Sequence, residues 1–417
     1  MSFRVLATNA VWSGLARLLG RGGFVVASMI FARNLSTRDF AAYSYFQLTV
    51  TLLATYSAMG LGMTASRLFA QVNYVDDEKL PPIATLWFLS LGLGLLVAVA
   101  IALLPPGWLD KSLGLEGWMM GLGTFVLVAG VIPGGGVLGM EQYRVVAIFS
   151  ALSAAFLIVG ALVLGSSATV FSATLVFVLS ALIQTLGSSL VVFRKMSWKR
   201  FLATASFGRD TFESLYGLVG PMVVVSLLAA SGSWLVGRII LSGEFGEYQF
   251  ALYAIGLQWY SLVLFIPGMI SRVLLPRFVR GRLSPDSSAN EEMARMIRWG
   301  VALASVAALA VSATGLVLSP WLLSFYGEEY MVNAWLLFAF MLAAMPTAPA
   351  NTFGNAIIAD NGQWSWMVVT MLCLACMVVV AVVFLDEGAM GGALAHGLAA
   401  LLMTALAYYV ARKRQLV

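Results

Sequence analysis

Arg17 and Arg21 are the residues of this chain whose placement most demands an explanation. Both lie inside an apolar stretch near the N-terminus. With Asn9 and Ser13 they recur every four residues, which sets all four along one slowly winding face of a helix, and Ser28 follows seven positions after Arg21. A guanidinium at the centre of a bilayer costs at least ~2.5–3.5 kcal/mol, and Arg21 is near the middle of its stretch, too deep to snorkel easily. A structural ion pair would need a carboxylate at the same depth, yet every Asp and Glu falls in a loop or near the end of an apolar run. The favoured reading is a cavity lining. Fork-shaped guanidinium groups pair with phosphate or carboxylate, so the stripe points to an anionic cargo.

Other polar positions fit either a cavity lining or hydrogen bonding between helices. They are Gln47, Thr51 and Thr55 at four-residue spacing, Gln258, and the pair Asn351 and Asn355. Chemistry of other kinds is not encoded. No nucleophile–base set, phosphate loop or metal-ligand cluster stands out, so neither an enzyme nor a metal or cofactor is expected. Cys373 and Cys376 have CxxC spacing but sit in an apolar run and read as packing residues. The lone His396 reads as a packed polar residue rather than a ligand or proton relay.

The elements that carry these residues follow from composition. Of 417 residues, 61% are hydrophobic and 10% charged, against roughly a quarter charged in an ordinary globular protein. Apolar runs of about 20 residues, each long enough to cross a bilayer, recur along the whole chain. Helices are the expected spanning form, because each satisfies its own backbone hydrogen bonds. The sequence therefore predicts an all-α integral membrane protein with twelve spans. They are 9–32, 42–65, 83–104, 118–140, 144–165, 170–193, 214–240, 249–275, 298–318, 331–358, 365–385 and 389–410. The N-terminal stretch is read as the first span and not as a removed signal, since Arg17 and Arg21 interrupt it. With both termini cytoplasmic, 17 of the 24 Lys and Arg residues fall on the cytoplasmic side and only Arg33, Arg38 and Lys111 in outer loops, which sets the orientation. The basic residues are divided among separate loops, which argues against a nucleic-acid partner.

Self-similarity adds an internal repeat. At an offset of 205 residues Arg33 falls on Arg238, Asp39-Phe40 on Glu244-Phe245, Tyr43 on Tyr248 and Ser66-Arg67 on Ser271-Arg272. The expected organisation is two six-helix halves, 1–206 and 207–417. Because six is even, they are parallel repeats, with a central cavity and substrate site between them. The repeat sorts four arginines, Arg33 and Arg238 at outer span ends and Arg67 and Arg272 at inner ends. Interfacial anchoring explains them, and gating or headgroup contact is the functional alternative. Arg17 and Arg21 have no repeat counterparts, since the shifted positions are Met222 and Ser226. Pro133-Gly134-Gly135-Gly136 in the fourth span, Pro221, Pro267, Pro346 and Pro349 are candidate hinges, because proline removes a backbone hydrogen bond and kinks a helix.

Several segments resemble a known family. FARNLSTRDFAAY from Phe31 to Tyr43 is similar to the first outer loop of the oligosaccharide flippases of bacterial surface-polysaccharide synthesis, in the multidrug/oligosaccharidyl-lipid/polysaccharide exporter superfamily. FGEYQFALYAIGLQWYSLVLFIPGMISRVLLPR from Phe245 to Arg277 resembles the corresponding part of their second half, and Tyr326 to Tyr330 also fits. The resemblance spans essentially the full length on short motifs. It implies a two-lobed flippase of twelve to fourteen helices in the bacterial cytoplasmic membrane. Its cargo would be undecaprenyl-diphosphate-linked sugars, moved to the periplasmic leaflet by alternating access. Membrane lipids and other polysaccharide-assembly proteins are the implied partners. The chain departs from many relatives around 231–237, where an acidic residue of the seventh span is missing, which weakens ion-coupling schemes that use it. A multidrug cation antiporter of the same superfamily would want buried carboxylates. A membrane-embedded polysaccharide polymerase or glycosyltransferase would want a substantial outer loop or clustered acids. This sequence offers neither.

Overall fold

The computed structural model describes residues 3–58, 61–71, 82–104, 113, 115–196, 198–206, 208, 227–228, 230–270, 288–331, 333–360 and 362–417, with side chains except at 3–11, 63, 67, 71, 288–290 and 292. Long runs of Leu, Val, Ile and Ala close their backbone hydrogen bonds locally, and no strand occurs among the described residues. Among the described residues nine stretches are long and apolar enough to cross a membrane: Trp12–Asn34, Ile83–Ala102, Gly117–Gly139, Tyr143–Ser167, Val170–Lys195, Met293–Ser324, Ala334–Ala359, Gln363–Val383 and Ala389–Lys413. They coincide with nine of the twelve expected spans. Of the other three, the second runs across Thr37–Ala58 and Leu61–Gln71, with 59–60 outside the described residues, and carries Tyr, Ser, Thr and Gln side chains. The seventh begins, and the eighth ends, outside the described residues.

The chain forms two compact units, Met1–Leu227 and Leu228–Val417. The expected seam at 206/207 lies beside residues 209–226, which are outside the described set. The first unit comprises α1 (Phe3–Asn34), α2 (Thr37–Ala58), α3 (Leu61–Gln71), α4 (Ile83–Ala102), α5 (Gly117–Ala129), α6 (Val131–Gly139), α7 (Tyr143–Leu164), α8 (Val170–Lys195) and α9 (Trp198–Ala203). In it α1 packs along α7, α3 along α6, α4 along α5, and α7 along α8. The second unit comprises α10 (Ala230–Leu241), α11 (Gly246–Val263), α12 (residues 265–270), α13 (Ser288–Ser324), α14 (Glu328–Met331), α15 (Ala334–Ala344), α16 (Thr347–Ala359), α17 (Gln363–Val383) and α18 (Ala389–Lys413). There α18 is the hub, packed on α17, α15, α16 and α11. Its end is clamped by Arg414, whose guanidinium donates to the Asp360 carboxylate at 2.9 Å and to the Asp360 carbonyl at 3.0 Å.

Small residues set the closest helix contacts, as expected where lipid supplies no hydrophobic force between helices. A Cβ on Gly23 of α1 would run into Ala154 of α7. On Gly135 and Gly139 of α6 it would strike the carbonyl oxygens of Gly62 and Ser66 on α3, and on Gly121 of α5 that of Ala98 on α4. The glycine run after Pro133 thus supplies a packing face. The break in this span falls earlier, at the Gly130 turn. A proline ring clashes with the carbonyl four residues back, and α5 ends at Ala129, four before Pro133. Pro267 repeats the pattern, with α11 ending at Val263. Pro346 occupies the turn ahead of α16 and its carbonyl accepts the Thr404 hydroxyl from α18. Pro320 lies inside α13 without ending it, and Pro221 is outside the described residues.

The glycine contacts give a stability contrast. Gly139→Leu should cost at least ~1–3 kcal/mol through overpacking against α3. Gly134→Ala, where an added Cβ meets open space, should be neutral or stabilising by ~0.5–1 kcal/mol. Thermal unfolding of the purified protein in detergent checks both. Equal melting temperatures for the two variants would contradict the tight α3–α6 contact.

Candidate functional site

The arginine stripe lies on α1, beside the face that packs on α7. That packed face carries Ala16, Gly20, Gly23 and Ala27, with Gly20 facing Ser150 and Gly23 facing Ala154 of α7. Leu15, Leu18 and Val26 are exposed on another side of the helix. Ser13 and Arg17 are half-buried and Arg21 is exposed. Asn9 is in the same helix, with its side chain outside the described set. Further along this face the helix closes against its neighbours. Ser28 and Phe31 are fully buried, and the Phe31 ring lies 4.9 Å from that of Tyr43 on α2. Phe177 of α8 touches both Phe24 of α1, at 6.4 Å between ring centroids, and Phe46 of α2, at 6.2 Å. The stripe therefore continues the α1–α2–α8 seam and comes to the surface at Arg21. An exposed guanidinium near the middle of a span is costly against lipid and stable against water or an anion.

Gln47 is buried on α2, one turn from Tyr43, and the two side chains interact. The Gln47 amide nitrogen has no hydrogen-bond partner among the described residues, leaving a donor to be satisfied by water or a ligand. Thr51 is exposed. Thr55 donates its hydroxyl to the Thr51 carbonyl at 2.8 Å, a bond within the helix. Arg33 is exposed at the end of α1, Arg238 is half-buried in α10, the Arg67 side chain is not described, and Arg272 lies outside the described residues, as do Met222 and Ser226.

In the second unit Gln258 is buried in a polar bridge. Its carbonyl oxygen accepts the Tyr326 hydroxyl at 3.1 Å, and the Tyr326 oxygen accepts the Trp259 indole N–H at 3.1 Å. Burial raises the Tyr326 phenol pKa, which keeps it a donor. Asn351 and Asn355 are half-buried one turn apart on α16. His396 is buried among the rings of Tyr253, Tyr260 and Phe340. Its Nδ1 faces the Gly392 carbonyl at 3.1 Å and its Nε2 the Ser233 hydroxyl at 3.2 Å. Nδ1 therefore carries the hydrogen and Nε2 accepts. This is the packed polar residue that sequence reasoning expected. Its partners, Ser233 and Tyr253, were not anticipated. They lie far away in sequence, and only their polar character inside apolar runs could have pointed to them.

Among the described residues no cluster of three or more His, Cys, Asp or Glu could hold a metal. Cys373 is buried and Cys376 half-buried, both as free thiols. What the first unit offers chemically is a cationic face on α1 that is exposed at Arg21 and, on α2, a buried amide donor at Gln47.

The fold is that of transporters of the MOP superfamily. The structure of a multidrug resistance MATE family transporter in its inward-facing conformation matches with a TM-score of 0.77 and 15% identity, over 97% of this chain and 98% of that one. A MOP superfamily transporter from Pyrococcus furiosus, described as having a binding pocket of reverse polarity, matches with a TM-score of 0.72 and 14% identity, over 99% and 95%. Residues 6–282 match the family described as "Polysaccharide biosynthesis protein", and the chain belongs to that family. The EPS I polysaccharide export inner membrane protein EpsE of Ralstonia solanacearum is 22% identical over 324 residues, 76% of this chain and 72% of that protein. Its counterpart in Ralstonia nicotianae is 22% identical over 303 residues, 70% and 67% of the two chains.

The Gln258 bridge gives a test of whether that residue holds the fold. Gln258→Leu should cost ~1–3 kcal/mol by stranding a buried hydroxyl. Combined with Tyr326→Phe it should show a coupling of at least ~0.5 kcal/mol in a double-mutant cycle of unfolding. Additive effects would mean that the two side chains act independently.

Proposed function

We propose that this protein is a flippase that carries an anionic lipid-linked oligosaccharide across the bacterial cytoplasmic membrane by alternating access, for assembly of a surface polysaccharide. The carrier is an undecaprenyl diphosphate, and both termini face the cytoplasm. The observation that carries this reading is the cationic face of α1, with Arg17 half-buried and Arg21 exposed near mid-span, in a chain of the polysaccharide biosynthesis family with a MOP transporter fold. The similarity to EpsE proteins, described as export proteins of the inner membrane, supports both the process and the location. A diphosphate matches the stripe, since each guanidinium fork takes two phosphate oxygens in a charge-assisted pair. In this scheme Arg17 and Arg21 hold the diphosphate, and Ser13, Asn9 and Gln47 supply further polar contacts. The candidate gates Arg33, Arg67, Arg238 and Arg272 and the hinges at Pro133, Pro221, Pro267 and Pro346 belong to the moving parts.

Arg21→Ala, introduced on the chromosome, should lower surface polysaccharide at least tenfold and accumulate a lipid-linked oligosaccharide on the cytoplasmic side, with protein level near normal by immunoblot. Arg21→Lys should restore part of the flux, because an ammonium keeps the charge and loses the bidentate fork. Full polysaccharide output from the alanine variant would overturn the assignment of Arg21 to cargo binding.

A further inference from the structure

A second cationic feature of the first unit lies away from the α1 stripe. The start of α7 and the end of α8 frame a cleft of about 370 Å³ lined by Gln142, Val145, Phe149, Leu190, Arg194 and Lys195 among others. Its chemistry is sorted along the helix axes. Phe149, Val145 and Leu190 form an apolar floor, and Arg194 and Lys195 follow in the last turn of α8, beside Gln142 at the start of α7. Gly187 permits this shape, because a Cβ there would run into the Phe149 ring. Ile148, Leu186 and Leu190 are exposed, so the cleft opens on an apolar surface of these two membrane-spanning helices. Arg194 and Lys195 are exposed, as is Arg144 in the first turn of α7. Glu141, the acidic residue nearest in sequence, is exposed on the corner before α7.

We infer that this cleft is a binding site for an anionic phospholipid of the surrounding bilayer. The phosphate rests on Arg194 and Lys195, and one acyl chain lies along Val145, Phe149 and Leu190. The occupant follows from position and charge. An apolar groove on a membrane-spanning surface is filled by acyl chain, and a pair of cations at its polar end selects a phosphate that no choline amine neutralises. The site is independent of cargo transport. With the inside-positive orientation it faces the cytoplasmic leaflet.

Native mass spectrometry of the full-length protein in detergent tests the site, with phosphatidylglycerol, phosphatidylcholine or inorganic phosphate added. Phosphatidylglycerol should be retained in preference to phosphatidylcholine, and inorganic phosphate at equal concentration should not displace it. Each charge removed should weaken retention about fivefold, so the double variant Arg194→Gln/Lys195→Gln should lose more than tenfold. Leu190→Trp, which fills the apolar end and keeps the charge, should also weaken retention severalfold. Lys199→Gln, an exposed basic position on α9 outside the lining, should change nothing. The proposal is overturned if phosphatidylcholine binds equally, if phosphate displaces the lipid, if both cleft variants bind normally, or if Lys199→Gln loses as much as the cleft double variant.

Discussion

Inside a bilayer no water reaches the backbone, and a buried N–H or C=O without a partner costs several kcal/mol. That constraint makes every spanning element among the described residues a helix, and it also dictates how the helices meet. Lipid tails are as apolar as Leu, so apolar side chains give little reason for two helices to associate. Close approach and interhelical hydrogen bonds supply the reason here. Gly23 admits Ala154, Gly135 and Gly139 admit the α3 backbone, and Gly121 admits that of α4. Hydroxyls add cross-links. Ser312 donates to the Met341 carbonyl at 2.9 Å, and Thr404 to that of Pro346. Where the apolar layer ends, other forces take over, as in the ring cluster of Trp87, Phe193, Trp198 and Phe201, which seats α9.

The same constraint sorts polar residues into two kinds. Gln258, His396 and Tyr253 use their polar atoms to join elements of the second unit, Gln258 to Tyr326 at 3.1 Å, and His396 and Tyr253 to Ser233 at 3.2 and 2.7 Å. Arg17 and Arg21 lie instead on a face that is buried at Ser28 and exposed at Arg21. A cation held there creates a positive potential in a low-dielectric setting, where it acts more strongly than in water. In the proposed reaction that potential draws in a diphosphate. The membrane potential, worth ~2.3 kcal/mol per charge per 100 mV, favours outward movement of the anion.

The nine long apolar stretches among the described residues were legible in the sequence because length and apolarity determine them. The expected span 365–385 corresponds to Gln363–Val383 and 170–193 to Val170–Lys195. What hid was everything that depends on a partner distant in the chain. Pro133 signalled a break, but its position at Gly130 follows from the clash four residues back, and the role of the glycines beyond it depends on α3. Gln258 allowed two readings until Tyr326, 68 positions away, supplied a bonding partner. The α1 stripe was visible through its four-residue spacing, a purely local property. The cleft between α7 and α8 combines residues of two helices and was not visible in either alone.

The central claim is that the moving group is an anion on a lipid. Its most direct test uses the purified protein in vesicles holding a polyprenyl-diphosphate oligosaccharide, or an uncharged polyprenyl glycoside with the same sugar. A membrane-impermeant oxidant reports how fast each sugar reaches the opposite leaflet. The account predicts protein-dependent transfer of the diphosphate-linked sugar at a rate at least tenfold above that of the uncharged one. Equal rates, or no transfer of the diphosphate-linked sugar, would contradict it.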